Sequence, residues 1–241
     1  MPLVNIDDKD MAAWVKHIPR GCLVNREDAI VDLCRGKTVL HLGAADSPFH
    51  RQKGADNALL HQKVRAVAAG IVGIDADKEA VACLRAECGI DDIIVADACT
   101  AHAEVDELRG RLFDVVLCCD IIEHVANVSA LLGACKSFLA PGGLVVISTI
   151  NATSLKAAAR AVFGREAVCP GHNAYYSFAT LCQTAAANGL RPIAVGAFCY
   201  PAVTRLSRIV FGAIAKCAPG TADGIIITCG HTKEELPRSP S

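Results

Sequence analysis

The sequence lacks the features that mark nucleic-acid binders and membrane proteins. Aromatic residues make up only 5% of the 241 residues and the formal net charge is −1. The composition therefore indicates no basic surface that would neutralise phosphates, and a nucleic-acid substrate is disfavoured.

No apolar run reaches the roughly 18 residues that a transmembrane helix needs. Residues 1–8 show neither the basic start nor the apolar centre of a signal peptide. The protein is predicted to be soluble and cytoplasmic.

Cysteine is abundant, but not in a pattern that indicates disulfides. The 13 cysteines are scattered through apolar runs, no two have the C-x-x-C spacing, and their number is odd. Cysteines of this kind are usually small core residues in a reducing compartment. The 52% of apolar residues is enough for a well-buried α/β domain, and no linker or repeat divides the chain. One domain is predicted over residues 1–230.

Four short apolar runs each end in a small or acidic residue. They cover residues 37–46, 70–75, 92–98 and 113–120. Each run is typical of a buried parallel strand that carries a polar residue at its carboxyl end, which is the edge where open α/β sheets bind ligands. Gly43, Asp75 and Asp97 are therefore expected at one edge of a sheet.

Helical patterns alternate with these runs. They cover residues 57–69, 77–88, 102–110, 126–139 and 177–188. Further strands are predicted within residues 139–148 and at residues 189–195 and 224–229. The alternation predicts a Rossmann-like, doubly wound α/β fold with a seven-stranded, mostly parallel sheet. Its last strand, near residues 224–229, is expected to run antiparallel between the fifth and sixth strands.

Four segments lie outside this alternation. Residues 1–35 are predicted to form a helical lid, and residues 47–62 a long polar loop beside the site. Residues 200–222 are predicted to hold an inserted amphipathic helix. This helix is expected to pack on the sheet or at a homodimer contact rather than on a membrane surface. The Pro- and charge-rich tail, residues 231–241, is predicted to be disordered.

The order of the four runs resembles that of the class I S-adenosylmethionine-dependent methyltransferases. The resemblance extends through the D-I-I-E-H-V stretch at residues 120–125 and the Pro-Gly-Gly turn within residues 139–148, and covers about residues 37–199. It implies that the turn at Gly43 surrounds the methionine part of the cofactor, that Asp75 accepts hydrogen bonds from the ribose, and that Asp97 lies beside the adenine. The cofactor-binding residues that it implies are Gly43, Ala44, Ala45, Asp46, Asp75, Ala76, Asp97, Ala98, Cys119 and Asp120.

This sequence departs from the family pattern in the first turn. The family has an acid where His41 stands, and glycine where Ala45 and Ser47 stand. The family's acid receives the amino group of the cofactor. Asp46 is the candidate to substitute for it in this chain.

Asp120, Glu123 and His124 form the sharpest chemical signal. A helix beginning near Asp120 would place the three on one face. The cluster resembles the E-x-x-E-H element of ubiquinone-type O-methyltransferases and small-RNA methyltransferases, which bind a divalent ion, and His172 is the further ligand candidate. We favour His124 as a catalytic base without a metal. The alternatives are a metal site, or a capping box of Asp120 and Glu123 with a packed His124.

The predicted reaction is transfer of a methyl group from S-adenosylmethionine to an oxygen or nitrogen of a small-molecule or lipid- or sugar-linked acceptor. One alternative is a nicotinamide-dependent dehydrogenase, which the absence of G-x-G-x-x-G after the first strand weakens. Another is a scaffold subunit that binds the cofactor without catalysis. Second-rank candidates for substrate contact are His50, His61, Tyr175, Tyr176 and Tyr200.

Overall fold

The structure is a computed structural model that describes residues 2–7, 15–200 and 212–232. Its strands are β1 (Val4–Asn5), β2 (Thr38–Leu42), β3 (Gly70–Asp75), β4 (Ile93–Val95), β5 (Phe113–Cys119), β6 (Leu139–Ile150), β7 (Leu190–Phe198) and β8 (Gly224–His231). Its helices are α1 (Arg26–Cys34), α2 (His50–Ala55), α3 (Leu60–Arg65), α4 (Lys78–Cys88), α5 (Ala101–Glu104), α6 (Val128–Ser137), α7 (Leu155–Val162) and α8 (Phe178–Ala187). Residues 212–217 are also helical.

The eight strands form one sheet in the order β1-β7-β8-β6-β5-β2-β3-β4. Strands β2 to β6 pair in parallel wherever they are neighbours. Strand β8 lies between β6 and β7 and is antiparallel to both. The predicted Rossmann-like sheet and its antiparallel last strand are confirmed. The sheet has eight strands instead of the predicted seven. The additional strand is the two-residue β1, which belongs to the segment predicted as a helical lid and pairs with the outer edge of β7.

Successive side chains of a strand point to opposite faces of the sheet. Helices pack on both faces, so the side chains on each face are buried. Leu40 and Leu42 of β2 pack with buried residues of α6 and α8. Val39 packs on the other face with buried residues of α1 and α3. His41 shares the strand parity of Val39 and therefore points toward α1 and α3. This layering is the doubly wound arrangement that the apolar runs predicted.

The predicted lid is only partly helical in the described residues. Asn25 caps α1 by accepting hydrogen bonds from the backbone N–H groups of Glu27 and Asp28. Residues 16–25 before it are not helical, since Pro19 and the left-handed Gly21 (φ 79°) interrupt any longer helix. Residues 8–14 of the lid and residues 201–211 of the predicted 200–222 insert lie outside the described residues.

Other element boundaries also shift. The predicted loop at 47–62 contains helix α2, and the helix predicted at 57–69 is the shorter α3. The helix predicted at 102–110 is the four-residue α5 followed by a 3-10 turn at Asp106–Leu108. Strand β8 extends to His231, and residues 233–241 of the predicted tail lie outside the described residues.

We predict that Gly73 of β3 cannot accept a methyl group without loss of stability. A Cβ at this position would lie 2.8 Å from Ala44 Cβ, 2.9 Å from Ile93 Cγ1 and 3.0 Å from His61 Cε1. Overpacking of this kind costs about 1 to 3 kcal/mol, so Gly73→Ala should lower the free energy of unfolding in urea by that amount.

The matched control is Gly70→Ala in the first position of the same strand, where a Cβ would meet nothing within 4 Å. It should leave the free energy of unfolding nearly unchanged. Equal stabilities of the two variants would show that the β3 environment of Gly73 is not as close-packed as described.

Candidate functional site

A cleft of about 1360 Å³ opens at the carboxyl ends of strands β2, β3, β4 and β5. Most of the residues predicted to bind a cofactor line it together with the predicted catalytic histidine. These are Gly43, Ala44, Asp46, Asp75, Ala76, Asp97, Ala98, Cys119, Asp120 and His124. Ala45, Glu123 and His172 are absent from its lining. Gly43 and His124, which are 81 positions apart in the chain, are thus brought to one cleft.

The turn after β2 is held against the end of β3. Gly43 has φ 72°, in the left-handed region that glycine adopts without steric cost. The N–H groups of Gly43 and Ala44 both donate to the carbonyl of Ile74, at 2.8 and 3.1 Å. The backbone therefore leaves β2 sharply and forms the wall of the cleft next to β3.

Asp75 joins this turn to the next helix. One carboxylate oxygen accepts from the N–H of Ala45 at 2.8 Å, and the other accepts from the N–H of Asp77 at 2.9 Å. Asp77 itself caps α4 by accepting hydrogen bonds from the N–H groups of Glu79 and Ala80. Since each carboxylate oxygen can accept more than one hydrogen bond, Asp75 retains acceptor capacity toward the cleft.

Asp97 lies exposed at the end of β4. Its carboxylate accepts from the N–H of Cys99 at 2.8 Å, which is an Asx turn. The neighbouring Ala98 is buried and also lines the cleft. The strand-end turn and a contact with a ligand are compatible roles for Asp97.

Asp46 and Lys53 form an ion pair at the mouth of the cleft. Asp46 has φ 59°, and its carboxylate lies 2.5 Å from the Lys53 ammonium on α2. Both residues line the cleft, together with the exposed ring of Phe49. Lys53 was missed by the sequence analysis because residues 47–62 were predicted as a loop, whereas α2 brings its side chain back to the first turn.

Asp120 and Arg26 form a second ion pair deeper in the cleft. The guanidinium of Arg26 lies 2.7 Å from one carboxylate oxygen of Asp120, and its Nε donates to the Ser148 hydroxyl at 3.1 Å. That hydroxyl donates to the other Asp120 oxygen. Burial raises the pKa of Asp120, and the Arg26 charge opposes the rise. Arg26 was not among the site residues predicted from the sequence.

The helix expected at Asp120 does not form. Asp120 has φ 52°, and its N–H still donates to Ser148 O at the end of the β5–β6 ladder. Turns follow, and the next helix, α6, begins at Val128 with Asn127 as its cap. Asp120, Glu123 and His124 therefore do not share one helix face, and Asp120 and Glu123 do not form a capping box. Both of these predictions are wrong.

The segment at residues 172–174 packs on the turn that carries Glu123 and His124. The carbonyl of Glu123 accepts from the N–H groups of Asn173 and Ala174, and the Asn173 amide donates to His124 O. The His124 and His172 rings meet edge to face with centroids 4.4 Å apart. His124 is exposed to the cleft, so it is available to an acceptor molecule rather than packed in the core.

Glu123 is a buried acid without a cation partner in the part of the chain that the structure describes. Its side chain is 1% exposed, and Oε2 has no hydrogen-bond partner among the described residues. Burial raises the pKa of Glu123 to about 7, and the nearby Asp120 carboxylate adds to the rise. Glu123 is therefore neutral in slightly acidic solution.

The remaining candidates are dispersed. Across residues 2–7, 15–200 and 212–232, no three His, Cys, Asp or Glu side chains are grouped to hold a metal ion. Tyr176 is a core residue and Tyr175 contacts Ala167 O, whereas Tyr200 lines the cleft. His61 is fully buried and His50 is half-buried.

The cleft fits S-adenosylmethionine on three observations. The left-handed turn at Gly43 lets backbone approach a ligand without a side chain. Two carboxylates, Asp75 and Asp97, stand at the ends of adjacent strands. The volume is ample for a nucleoside carrying an amino acid.

Comparison with known families agrees with this geometry. The family model described as "Methyltransferase domain" matches residues 25–195. Those residues include strands β2 to β5, at whose carboxyl ends the cleft opens, and the turns that carry Gly43, Asp75, Asp97 and His124.

Individual relatives match part of their length. A ubiquinone biosynthesis O-methyltransferase from Bradyrhizobium sp. is 36% identical over 115 residues, which are 48% of this chain and 44% of the relative. One from Parvibaculum lavamentivorans is 35% identical over 141 residues, 56% of this chain and 55% of the relative. The chain thus matches about half the length of these curated relatives. A SAM-dependent methyltransferase structure from Archaeoglobus fulgidus has TM-score 0.56 at 18% identity, over 85% of this chain and 90% of that one, and shows the fold alone.

We predict that Glu123 makes the stability of the protein fall as pH rises. Its folded pKa of about 7 lies above the ordinary 4.5, so the folded state holds the proton more tightly than the unfolded state. The stabilisation is complete below about pH 4.5 and is lost as pH rises through about 7. Relative to Glu123→Gln, which stays neutral, the wild type should lose on the order of 3 kcal/mol across this window.

Urea unfolding at pH 5 and pH 8 measures this difference. Glu107→Gln, an exposed carboxyl on the 3-10 turn, is the matched control and should show no such trend. If the difference in the free energy of unfolding between wild type and Glu123→Gln stayed constant with pH, the pKa of Glu123 would not be raised in the folded protein.

Proposed function

Because the chain belongs to the family of methyltransferase domains and is a class I S-adenosylmethionine-dependent methyltransferase, we propose that it transfers a methyl group from this cofactor to an oxygen or nitrogen of a small-molecule acceptor. The observation that carries the proposal is the convergence of Gly43, Asp75, Asp97 and His124 on one cleft. Such clefts at the carboxyl ends of parallel strands are where open α/β sheets bind ligands.

The cofactor residues have separate roles in this proposal. The turn from Gly43 to Asp46 would hold the amino-acid part, Asp75 the ribose hydroxyls, and Asp97 with Ala98 the adenine. Ala76, Cys119 and Asp120 complete the wall. When bound, S-adenosylmethionine supplies a methyl group that is activated by the positive charge on its sulfur. The protein's remaining tasks are to orient the acceptor and to remove its proton.

His124 is the residue proposed for those tasks. It is exposed to the cleft, and Asn173 and His172 hold its backbone and ring. An imidazole titrates near neutral pH, so it can accept a proton from a hydroxyl or amino group. Glu123 is buried beside it, and burial raises its pKa to about 7. We propose that the cluster acts without a metal.

Oxygen is the preferred acceptor atom. The curated relatives are named as O-methyltransferases of ubiquinone biosynthesis, and they match this chain over about half of their length. The cleft also presents the rings of Phe49 and Tyr200, which would suit an acceptor with apolar or aromatic parts. We therefore extend the proposal to a hydroxyl group on such a molecule.

The competing functions predict different ligands. A nicotinamide-dependent dehydrogenase would bind NADH in preference to S-adenosylmethionine, and the turn after β2 lacks the glycine pattern for it. A scaffold subunit would bind S-adenosylmethionine without turning it over. Titration with both cofactors, followed by detection of S-adenosylhomocysteine in the presence of a panel of phenols, separates the three.

Some broader properties remain part of the proposal. We propose one domain over residues 1–230, a cytoplasmic location and a homodimer through the 200–222 region, of which residues 201–211 lie outside the described residues. No helix within the described ranges is long and apolar enough to cross a membrane.

Asp75→Asn should weaken S-adenosylmethionine binding by about 1 to 3 kcal/mol, because a carboxylate makes charge-assisted hydrogen bonds with the ribose that an amide cannot fully replace. Isothermal titration calorimetry measures the change, with circular dichroism to confirm folding. The matched control is Asp77→Asn, because asparagine is an equally good helix cap. Unchanged affinity in folded Asp75→Asn would remove this residue from the site.

His124→Ala should lower turnover on the order of a hundredfold while leaving cofactor affinity nearly intact, since the imidazole acts on the acceptor. EDTA should have little effect. His102→Ala, which removes an exposed histidine of α5, is the control. If chelation abolished activity, magnesium restored it, and Glu123→Ala and His172→Ala were both inactive, a metal would be required. Full activity of His124→Ala would contradict both roles.

A further inference from the structure

Tyr200 lines the cleft far from the residues proposed to bind the cofactor. Gly43, Asp75 and Asp97 lie at or just after the ends of β2, β3 and β4, whereas Tyr200 follows the end of β7. Three strands, β8, β6 and β5, separate β7 from β2 in the sheet, which corresponds to about 19 Å at the usual strand spacing. Tyr200 therefore belongs to the half of the cleft that the proposed cofactor residues leave unused.

The direction of β7 places Tyr200 at the ligand-binding edge of the sheet. Strand β8 is antiparallel to both β6 and β7, so β7 runs parallel to β6. Its carboxyl end therefore lies at the same edge as the ends of β5 and β6. Cys199 and Tyr200 directly follow the last residue of β7, and both line the cleft.

A buried ring supports Tyr200 from behind. Phe198 of β7 is 2% exposed and lies opposite Gly224 of β8. A Cβ at Gly224 would overlap the Phe198 ring, so this ring occupies the space that a side chain there would fill. The Tyr200 ring meets the Phe198 ring edge to face, with centroids 5.3 Å apart and 87° between the planes. Aromatic pairs favour this arrangement.

Two further contacts hold this pair of rings. The guanidinium of Arg26 lies over the Phe198 ring, 5.7 Å from its centroid, as in a cation–π contact. The Tyr200 N–H donates to the Asp223 carboxylate at 3.0 Å, and that carboxylate also accepts from Lys156 Nζ at 2.6 Å. Because Tyr200 is held before any ligand binds, little conformational entropy is lost when a molecule packs on its ring.

The Tyr200 ring is uncharged and open to the cleft. The residue is 38% exposed, although Phe198 behind it is buried. Burial of part of the side chain raises the pKa of the phenol, and the Asp120 carboxylate adds to the rise. The hydroxyl therefore stays protonated at neutral pH. Phe49, the other exposed ring of the cleft, already has the Lys53 ammonium over it, 5.5 Å from its centroid.

We propose that Tyr200 determines specificity for the methyl acceptor by packing its ring against a planar ring of that molecule. The inference rests on the proposed function, and it names the residue that would discriminate between planar and saturated acceptors. Tyr200 contacts the acceptor in this inference, whereas Phe198 is a positioning residue that acts through Tyr200.

The first test compares two probes that share a carbon skeleton and a hydroxyl group. Naphthol is planar, and decahydronaphthol is its saturated counterpart. Both are titrated by calorimetry into wild type, Tyr200→Leu and Tyr200→Phe, each saturated with S-adenosylhomocysteine. The preference for naphthol should fall about threefold to tenfold in Tyr200→Leu, which loses the ring contact. It should be retained in Tyr200→Phe, which keeps the ring.

The matched control is Tyr175→Leu. Tyr175 has nearly the same exposure as Tyr200, 37%, but does not line the cleft. Its replacement should leave the preference for naphthol unchanged. The affinity for S-adenosylhomocysteine should stay within about twofold of wild type in all of these variants, because none of the replaced side chains is proposed to contact the cofactor.

The second test observes Tyr200 directly and needs no variant in the binding measurement. The chain has three tyrosines, so protein made with fluorotyrosine gives one fluorine NMR signal for each, assigned by tyrosine-to-phenylalanine replacements. Naphthol added to the S-adenosylhomocysteine complex should shift the Tyr200 signal and leave those of Tyr175 and the core residue Tyr176 in place. Phe198→Leu should shift the Tyr200 signal before any probe is added and lower the preference for naphthol.

The outcomes distinguish this inference from the proposed function. If wild type does not bind S-adenosylhomocysteine, the proposed function fails and this inference fails with it. If wild type binds it, three results overturn only the role of Tyr200: no binding of naphthol to the complex, an unchanged preference in Tyr200→Leu, or a shift of the Tyr175 signal instead of the Tyr200 signal. Loss of S-adenosylhomocysteine affinity in folded Tyr200→Leu would assign Tyr200 to the cofactor and overturn the inference as well.

Discussion

The hydrogen bonds between the turn after β2 and the end of β3 determine the shape of the ligand cleft. Gly43 and Ala44 donate to Ile74 O, and Ala45 donates to the Asp75 carboxylate. Three successive N–H groups are thereby satisfied by the neighbouring strand, which holds the left-handed turn in place. The same bonds orient Asp75, so the backbone wall of the cleft and the carboxylate proposed to bind the ribose are positioned together.

Paired charges surround this turn. Lys53 compensates Asp46 and Arg26 compensates Asp120, whereas Glu123 is buried with no such partner in residues 2–7, 15–200 and 212–232. A buried charge is stable only if it is paired, and otherwise its pKa shifts until the group is neutral. The cleft therefore combines paired carboxylates near the proposed cofactor site with the neutral ring of His41, whose pKa burial lowers. Glu123 does not line the cleft and is buried next to His124 in the chain.

The strand ends could be predicted from the sequence because apolar runs and their terminal acids are local signals. Gly43, Asp75 and Asp97 follow directly from such runs, and so does the antiparallel β8. The conformation at Asp120 could not be predicted in this way, since its left-handed φ depends on Ser148 and Arg26, which are distant in the chain. The contact between the Phe198 and Tyr200 rings was equally hidden, because it depends on the space that Gly224 leaves in the neighbouring strand. Strand β1 was missed because two residues are too few to show a period.

The most direct measurement is the structure of the protein crystallised with S-adenosylhomocysteine. The account predicts that the ligand lies in the cleft between Gly43 and Asp97, with both ribose hydroxyls within hydrogen-bond distance of Asp75 and the adenine next to Ala98. A ligand bound elsewhere on the protein, or one whose ribose points away from the end of β3, would contradict it.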